Sequence, residues 1–317
     1  EQFVADFVSK IEKDIIEISP SFFEITVAIA FDYFAQSKVD VAIIETGVGG
    51  RLDSTNVIIP IVSLITTIGL DHENILGNTL ELIAFEKAGI IKKGVPVVLG
   101  KIQDAAKNVI LEQSRLKSSP LINNYESWAV SENADGVLDF ISPKGKKYPQ
   151  IQPDLKGKYF KKNIPPILEV VEKLIDQNFI IDLNAIRNGL QKITTNTGLK
   201  GRWQKIGESP LIICDVGHNE DGINEVLEQL EQMNYQKLHI VFGTVSDKSI
   251  DKILSLLPIE ACYYFCAANI PRALDANELF AQAIKLGLKG NVYGSVSEAI
   301  NRAKKDANKD DLIFIGG

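Results

Sequence analysis

Short apolar runs alternate along the chain with segments whose apolar residues recur every three or four positions, the pattern of strands alternating with amphipathic helices. In the first half, strands are predicted at "VDVAIIET" (39–46), "IVSLITTIG" (61–69) and "VPVVLG" (95–100), with helices over 22–36, 79–88 and 102–117. Residues 121–150 break this rhythm. There "ADG" (134–136) and "PKGKK" (143–147) separate short alternating runs, which predicts antiparallel hairpins appended to the sheet. Two helices are predicted next, near 163–176 and 182–191. A polar stretch rich in Thr and Gly, "TTNTGLKGR" (194–202), then makes the best boundary, dividing the chain into domains 1–198 and 199–317. Beyond it a second regular series has strands at "PLIICDV" (210–216), "KLHIVFG" (237–243), "CYYFCAA" (262–268), "NVYGS" (291–295) and "DLIFIG" (311–316). Alternation of this kind builds βαβ units and a mostly parallel sheet, so the fold class is α/β.

One position disturbs the pattern. On a wheel of about 100° per residue, Lys87 falls between Leu80, Ile83 and Ala84, in the middle of an apolar arc. An unpaired lysine facing a core is costly. Two readings are open: the side chain snorkels past its neighbours or pairs with a carboxylate, or desolvation leaves a nucleophilic amine. Such an amine can add carbon dioxide and become a carbamate, an anionic oxygen ligand.

Composition narrows the function classes. A chain of 317 residues accommodates two domains, and 45% hydrophobic with 24% charged residues is the balance of a soluble globular protein. The net charge of −7 supplies no basic field for nucleic acid or anionic membrane. The longest apolar stretch, Val57–Leu70, is interrupted by Pro60, Ser63, Thr66 and Thr67 and is too short for a bilayer. Cys214, Cys262 and Cys266 fit no zinc or CxxC spacing and read as buried thiols of a reducing, cytoplasmic setting. The chain opens at Glu1 without methionine and stops at "DLIFIGG", so both ends are expected to be cut.

In open parallel sheets, ligands collect at the carboxyl ends of strands. Three predicted strands end in functional groups there. In "AIIETGVGGRLDSTN", Glu45 closes a buried strand and is followed by a glycine-rich loop carrying Arg51, Asp53 and Asn56. "GLDH" places His72 after the second, and "IICDVGHNEDG" places Asp215, His218 and Asn219 on a strand-to-helix turn. Taken singly, each also reads as ordinary structure: a salt-bridged strand end, a helix cap, a turn former. Gly47, Gly49 and Gly50 do not complete G-x-G-x-x-G, and "GTVSDKS" (243–249) lacks the glycine that a phosphate-binding loop needs before its lysine. Glu45, His72 and a carbamate on Lys87 would together form a mixed N/O set suited to Mg²⁺ or Mn²⁺.

Together "ETGVGGRLDSTN", "TTIGLDHENILGNTLELIAFEKAGIIKKGVPVV", "LKGRW", "DVGHNEDG" and "PRAL" resemble the folylpolyglutamate synthase/dihydrofolate synthase family of the Mur ligase superfamily. The resemblance runs in order from "SFFEIT" (21–26) to the terminal "DLIFIGG". It implies a Mur-ligase-like architecture: an N-terminal P-loop-type ATPase domain and a C-terminal Rossmann-like domain, with ATP bound between them. It further implies that ATP phosphorylates a carboxylate of dihydropteroate or of a reduced folate's glutamate tail, and that L-glutamate attacks the acyl phosphate. By position, Glu45, His72 and the carbamylated Lys87 match the family's metal-side residues. Arg202, Asp215, His218 and Asn219 match its nucleotide contacts, and Arg51, Asp53 and Ser54 lie where its folate pocket touches the loop. The implied cofactors are Mg²⁺ or Mn²⁺ and ATP as co-substrate, with a monovalent cation a further candidate, in a cytoplasmic monomer.

There are departures. The family's GTNGKGS-like phosphate loop should precede residue 1, so a chain truly beginning at Glu1 is expected to be inactive. Its usual DGAHNP stands here as "DVGHNE". Two other functions compete: a Mur-type ligase acting on another carboxylate, and a non-catalytic remnant that binds folate or nucleotide.

Overall fold

A computed structural model describes residues 1–246 and 250–317, so the end of the "GTVSDKS" segment, 247–249, lies outside the described residues. The chain forms two compact units, one of residues 1–68, 73–97 and 102–121, the other of 69–72, 98–101 and 122–317.

The first unit opens on the helices Gln2–Lys10 (α1), Glu12–Ile18 (α2) and Phe22–Ser37 (α3). α3 starts on a capping box: Ser21 Oγ accepts the Glu24 amide (3.2 Å) and the Glu24 carboxylate accepts the Ser21 amide (2.7 Å). The next prediction fails. Residues 39–46 form no strand; Ile43 is 92% exposed, and Glu45 is exposed rather than closing a buried strand. An apolar run becomes a strand only when a neighbouring strand takes its backbone groups, and 39–46 belongs to none of the sheets among the described residues. The predicted strand 61–69 shrinks to Ser63–Ile65 (β1) for the same reason. It is followed by Glu73–Leu76 (α4), Leu80–Lys87 (α5), Val97–Leu99 (β2), Asp104–Leu116 (α6) and Leu121–Ile122 (β3). The sheet order is β1-β2-β3. Thr79 caps α5 through the Leu82 amide (3.3 Å), and Ile83 and Ala84 are fully buried.

Residues 121–150 do contain antiparallel hairpins, but these form a sheet of their own rather than an appendage. Ala129–Glu132 (β4), Leu138–Ile141 (β5) and Lys147–Ile151 (β6) pair in order β4-β5-β6. Leu138, Phe140, Tyr148 and Ile151 face one side and pack on Ile164, Leu168, Ile186 and Leu190 of Lys158–Asp176 (α7) and Leu183–Gln191 (α8). α7 begins five residues before the predicted start at 163 and runs through the buried Pro165 and Pro166. Those prolines cannot donate to the helix ladder; the neighbouring Ile164 and Leu168, both at 0% exposure, hold the segment by packing instead.

After Ile193–Thr197 (α9) comes a six-stranded sheet of order β11-β10-β9-β12-β8-β7. Its strands are Gln204–Glu208 (β7), Leu211–Cys214 (β8), Leu238–Phe242 (β9), Cys262–Phe265 (β10), Lys289–Val292 (β11) and Leu312–Gly316 (β12). All pairs are parallel except β7 against β8. β7 went unpredicted because "QKIGE" has no apolar alternation; it is an edge strand that needs only one partner. β11 lies two residues earlier than the predicted 291–295.

The topology assigns the helices to faces. Steps from β8 to β9 to β10 to β11 run in one direction and the return to β12 runs in the other. Right-handed crossovers therefore place Glu220–Leu230 (α10), Ile250–Leu256 (α11) and Ala276–Lys285 (α12) on one face and Val296–Asp306 (α13) on the opposite one. Packing follows suit. Ile213, Ile240, Phe242, Tyr263 and Phe265 join the helices α10–α12 in one core, while the alternate residues Ile212, Val241 and Tyr264 meet Ala299 and Ala303 of α13. Cys266 is buried, and burial pushes its thiol up to about 11. Cys214 and Cys262 are only half-buried, short of the burial predicted for them.

His239 of β9 is 1% exposed, with Nδ1 2.9 Å from the Tyr264 hydroxyl and Nε2 3.4 Å from Asp311 Oδ2. Burial lowers its pKa and outweighs the opposing pull of Asp311. The unfolded chain therefore binds the proton more readily, so His239 contributes stability that is complete above the unfolded pKa of about 6.5 and is lost as pH falls below it. Thermal melts from pH 7.5 to 5 are expected to show this decline, and His239→Gln is expected to flatten it.

Candidate functional site

In the first unit, the glycine-rich loop after Glu45 is organised from within. Asp53 Oδ2 accepts the amides of Gly47 (2.8 Å) and Val48 (2.9 Å), while Oδ1 accepts the Thr55 amide (2.9 Å) and hydroxyl (2.5 Å). Burial raises the Asp53 pKa, but these hydrogen bonds win and hold it below the ordinary carboxylate value. The brace is therefore present above about pH 4 and lost as pH falls through the folded pKa. Asp53→Ala is expected to speed amide exchange at Gly47 and Val48 by about tenfold or more, and unchanged exchange there would reject the brace.

The loop lies flush against the end of α5. Arg51 is a forked partner of Glu86, with Nε at 3.1 Å and an outer nitrogen at 2.9 Å from Oε1, and its amide donates to the Glu86 carbonyl (2.7 Å). Only glycine fits on both sides. A Cβ at Gly50 would sit 2.9 Å from the Lys87 carbonyl oxygen, and one at Gly89 would sit 2.1 Å from Arg51 Cα. Asn56 Nδ2 donates to the Gly89 carbonyl (3.1 Å), and Lys92 Nζ donates to the Asn56 carbonyl (2.8 Å). Lys87 itself is half-buried at the last turn of α5, beside the buried Ala84 and Ala88. Ser54 is half-buried.

In the second unit, Asp215 is 3% exposed at the end of β8 and is fully engaged. Its Oδ2 accepts the Trp203 amide (2.7 Å) and the Tyr159 hydroxyl (2.9 Å), and its Oδ1 accepts the Gly217 amide (2.8 Å). Burial, then the charge and hydrogen bond of Asp215, raise the Tyr159 pKa, so Tyr159 stays a neutral donor. Arg202 stands exposed beside Trp203. Asn219 caps α10 through the Gly222 amide (2.8 Å), and His218 Nδ1 lies 2.9 Å from the Val216 carbonyl. Residues 69–72 belong to this unit: Asp71 Oδ2 accepts from Asn219 Nδ2 (3.0 Å) and lies 3.4 Å from His218 Nε2. His72 is half-buried, with φ +52.

The structure thus gathers Asp215, His218 and Asn219 on one turn, and Arg51 and Asp53 in one loop. Of the predicted metal-side groups, Glu45 and Lys87 belong to the first unit and His72 to the second. His, Cys, Asp and Glu side chains form no group of three suited to a metal among the described residues. Sequence reasoning missed Asp71, Glu86 and Tyr159. Asp71 had a signal in its place between Gly69 and His72; Glu86 and Tyr159 had none, because only long-range packing supplies their partners.

Residues 201–317 match the family described as Mur ligase, glutamate ligase domain. A dihydrofolate synthase/folylpolyglutamate synthase of Bacillus subtilis (strain 168) is 36% identical over 268 residues, 82% of this chain and 61% of that protein. The chain therefore spans about three fifths of that relative's length. The structure of E. coli FolC in complex with DHPP and ADP has a TM-score of 0.82 at 28% identity, over 94% of this chain and 68% of that one. A bifunctional folylpolyglutamate synthase/dihydrofolate synthase with Mn, AMPPNP and L-glutamate bound has a TM-score of 0.85 at 29% identity, over 99% and 73%. Residues 201–317 are thus a Mur ligase, glutamate ligase domain by their family match, and nearly the whole chain is similar in sequence and fold to folylpolyglutamate synthases/dihydrofolate synthases.

Proposed function

We propose that the protein carrying this chain ligates L-glutamate, at the expense of ATP, to the carboxylate of dihydropteroate, of a reduced folate (poly)glutamate, or of both. The observation that carries this reading is the fold agreement over 94% of the chain with a FolC that holds DHPP and ADP. Phosphorylation by ATP converts the substrate carboxylate, a poor electrophile, into an acyl phosphate. The α-amino group of glutamate then forms the C–N bond, the C–O bond to phosphate breaks, and ADP and phosphate leave. We place the domain boundary near residue 199, supported by the matched ligase segment from residue 201 and a six-stranded sheet that begins at Gln204.

A divalent cation, Mg²⁺ or Mn²⁺, is proposed to take Glu45, His72 and a carbamate on Lys87 as ligands, a mixed N/O set of suitable donor chemistry. The His, Cys, Asp and Glu side chains by themselves form no group of three suited to a metal among the described residues. Support for these three residues is the motif match of the sequence. Such a cation would neutralise charge on the transferring phosphoryl group. Arg202, exposed beside the Asp215 turn, is proposed to contact nucleotide phosphates, with Asp215, His218 and Asn219 shaping the turn that receives them. Arg51 and Asp53 act through the shape of the loop that presents Ser54 to substrate. Among the described residues no helix is long and apolar enough to cross a membrane, and a cytoplasmic monomer, with a monovalent cation as a further candidate ligand, is part of the proposal.

The test is ADP release by the full-length protein with glutamate and, separately, dihydropteroate, tetrahydrofolate and a UDP-muramoyl acceptor. Turnover with either pteridine substrate is expected. Turnover with the muramoyl acceptor alone would replace this reading with a Mur-type ligase of another substrate, and nucleotide binding without any ADP release would leave the non-catalytic one.

A further inference from the structure

In the second unit one carboxylate ties together two motifs whose contacting residues lie 148 positions apart in the chain. Asp71 Oδ1 accepts the backbone amide of His72 (2.8 Å), the residue held at φ +52, a left-handed conformation that non-glycine residues seldom adopt. Its Oδ2 accepts from Asn219 Nδ2 (3.0 Å) and lies 3.4 Å from His218 Nε2. Asn219 is in turn committed at its other end, where Oδ1 caps α10. Gly69 completes the interlock: a Cβ there would lie 2.1 Å from Asp221 Oδ2, in the first turn of α10. The side chains of "GLDH" and "GHNED" are therefore matched to each other, and Asp71 serves both at once.

We infer that Asp71 is a positioning residue, which sets the backbone at His72 and orients Asn219 and His218 at the start of α10. For turnover and ADP affinity this rests on the reading above; for local order at His72 it does not. A charge placed between two hydrogen-bonding partners fixes their geometry more firmly than a neutral group.

A swap of carboxylate and amide tests the pairing in the full-length protein. Asn219→Asp keeps the helix cap but sets two carboxylates against each other, and ADP affinity is expected to fall by about tenfold. Adding Asp71→Asn exchanges the two groups. The new amide can donate to residue 219 while its oxygen still accepts the His72 amide, and affinity is expected to return to within about threefold of the original protein. In parallel, Asp71→Ala is expected to accelerate amide exchange at His72 by about tenfold or more, whereas Asp71→Asn leaves it slow. Effects that simply add in the double variant, or a His72 amide indifferent to Asp71→Ala, would overturn the assignment. Because ADP affinity and amide exchange are read without glutamate ligation, failure of the ligase reading would show separately, as absent turnover in the unmutated protein.

Discussion

Lys87→Ala is expected to lower glutamate ligation by roughly 10²–10³-fold with the fold intact. The stability half of this expectation follows from packing. Lys87 is half-buried in the last turn of α5, and the contacts that hold that helix belong to the fully buried Ile83 and Ala84. Alanine is also the best helix former, so the thermal midpoint should move by no more than a few degrees, roughly the effect of 1 kcal/mol. The activity half follows from the proposed carbamate. An amine that takes up carbon dioxide presents two anionic oxygens where alanine presents a methyl group, and short carboxylates added to the assay should restore part of the rate. ADP release with and without such carboxylates decides the matter: near-normal turnover would reject the carbamate and leave Lys87 a lysine that snorkels past its neighbours or pairs with a carboxylate.

The second large effect falls on stability. Asp215→Ala should cost about 3–5 kcal/mol, because three donors converge on that carboxylate and its removal strands them beside a residue only 3% exposed. For a domain of this size the thermal midpoint should drop by roughly 10–20 °C, with nucleotide binding lost in step. Asp215→Asn is the graded control. It keeps one oxygen for the Gly217 amide but turns an NH₂ toward the Trp203 amide and the Tyr159 hydroxyl, so an intermediate loss is expected. A midpoint within 3 °C of the unmutated protein in Asp215→Ala, roughly 1 kcal/mol or less, would show that the turn does not depend on this brace.

Asp215 also shows how far sequence reading reached. Its place on a strand-to-helix turn was legible because β8 is a clean apolar run ending in "CDVG". Its occupation was not, because Tyr159 and Trp203 arrive from α7 and from the segment before β7. The same division holds for the glycine loop. "ETGVGGRLDSTN" announces a tight turn, but only Gly89 and the Glu86 carboxylate, more than thirty residues on, explain why Gly50 and Arg51 stand where they do.

By itself the sequence determined the α/β class, most strands of the six-stranded sheet and the helices that begin on strong caps. These depend on local periodicity and on hydrogen bonds made within one turn, and both are written in neighbouring residues. The family resemblance was equally legible, since it resides in ordered motifs. Tertiary structure alone decided that 39–46 is not a strand, that the 129–151 hairpins make their own sheet, and that β12 returns between β9 and β8. It also decided that Asp53 and Asp215 spend their oxygens on their own surroundings and that Asp71 joins two distant motifs. Each of these turns on which backbone or side-chain donor is brought within about 3 Å of an acceptor by chain distant in sequence, and periodicity carries no information about that.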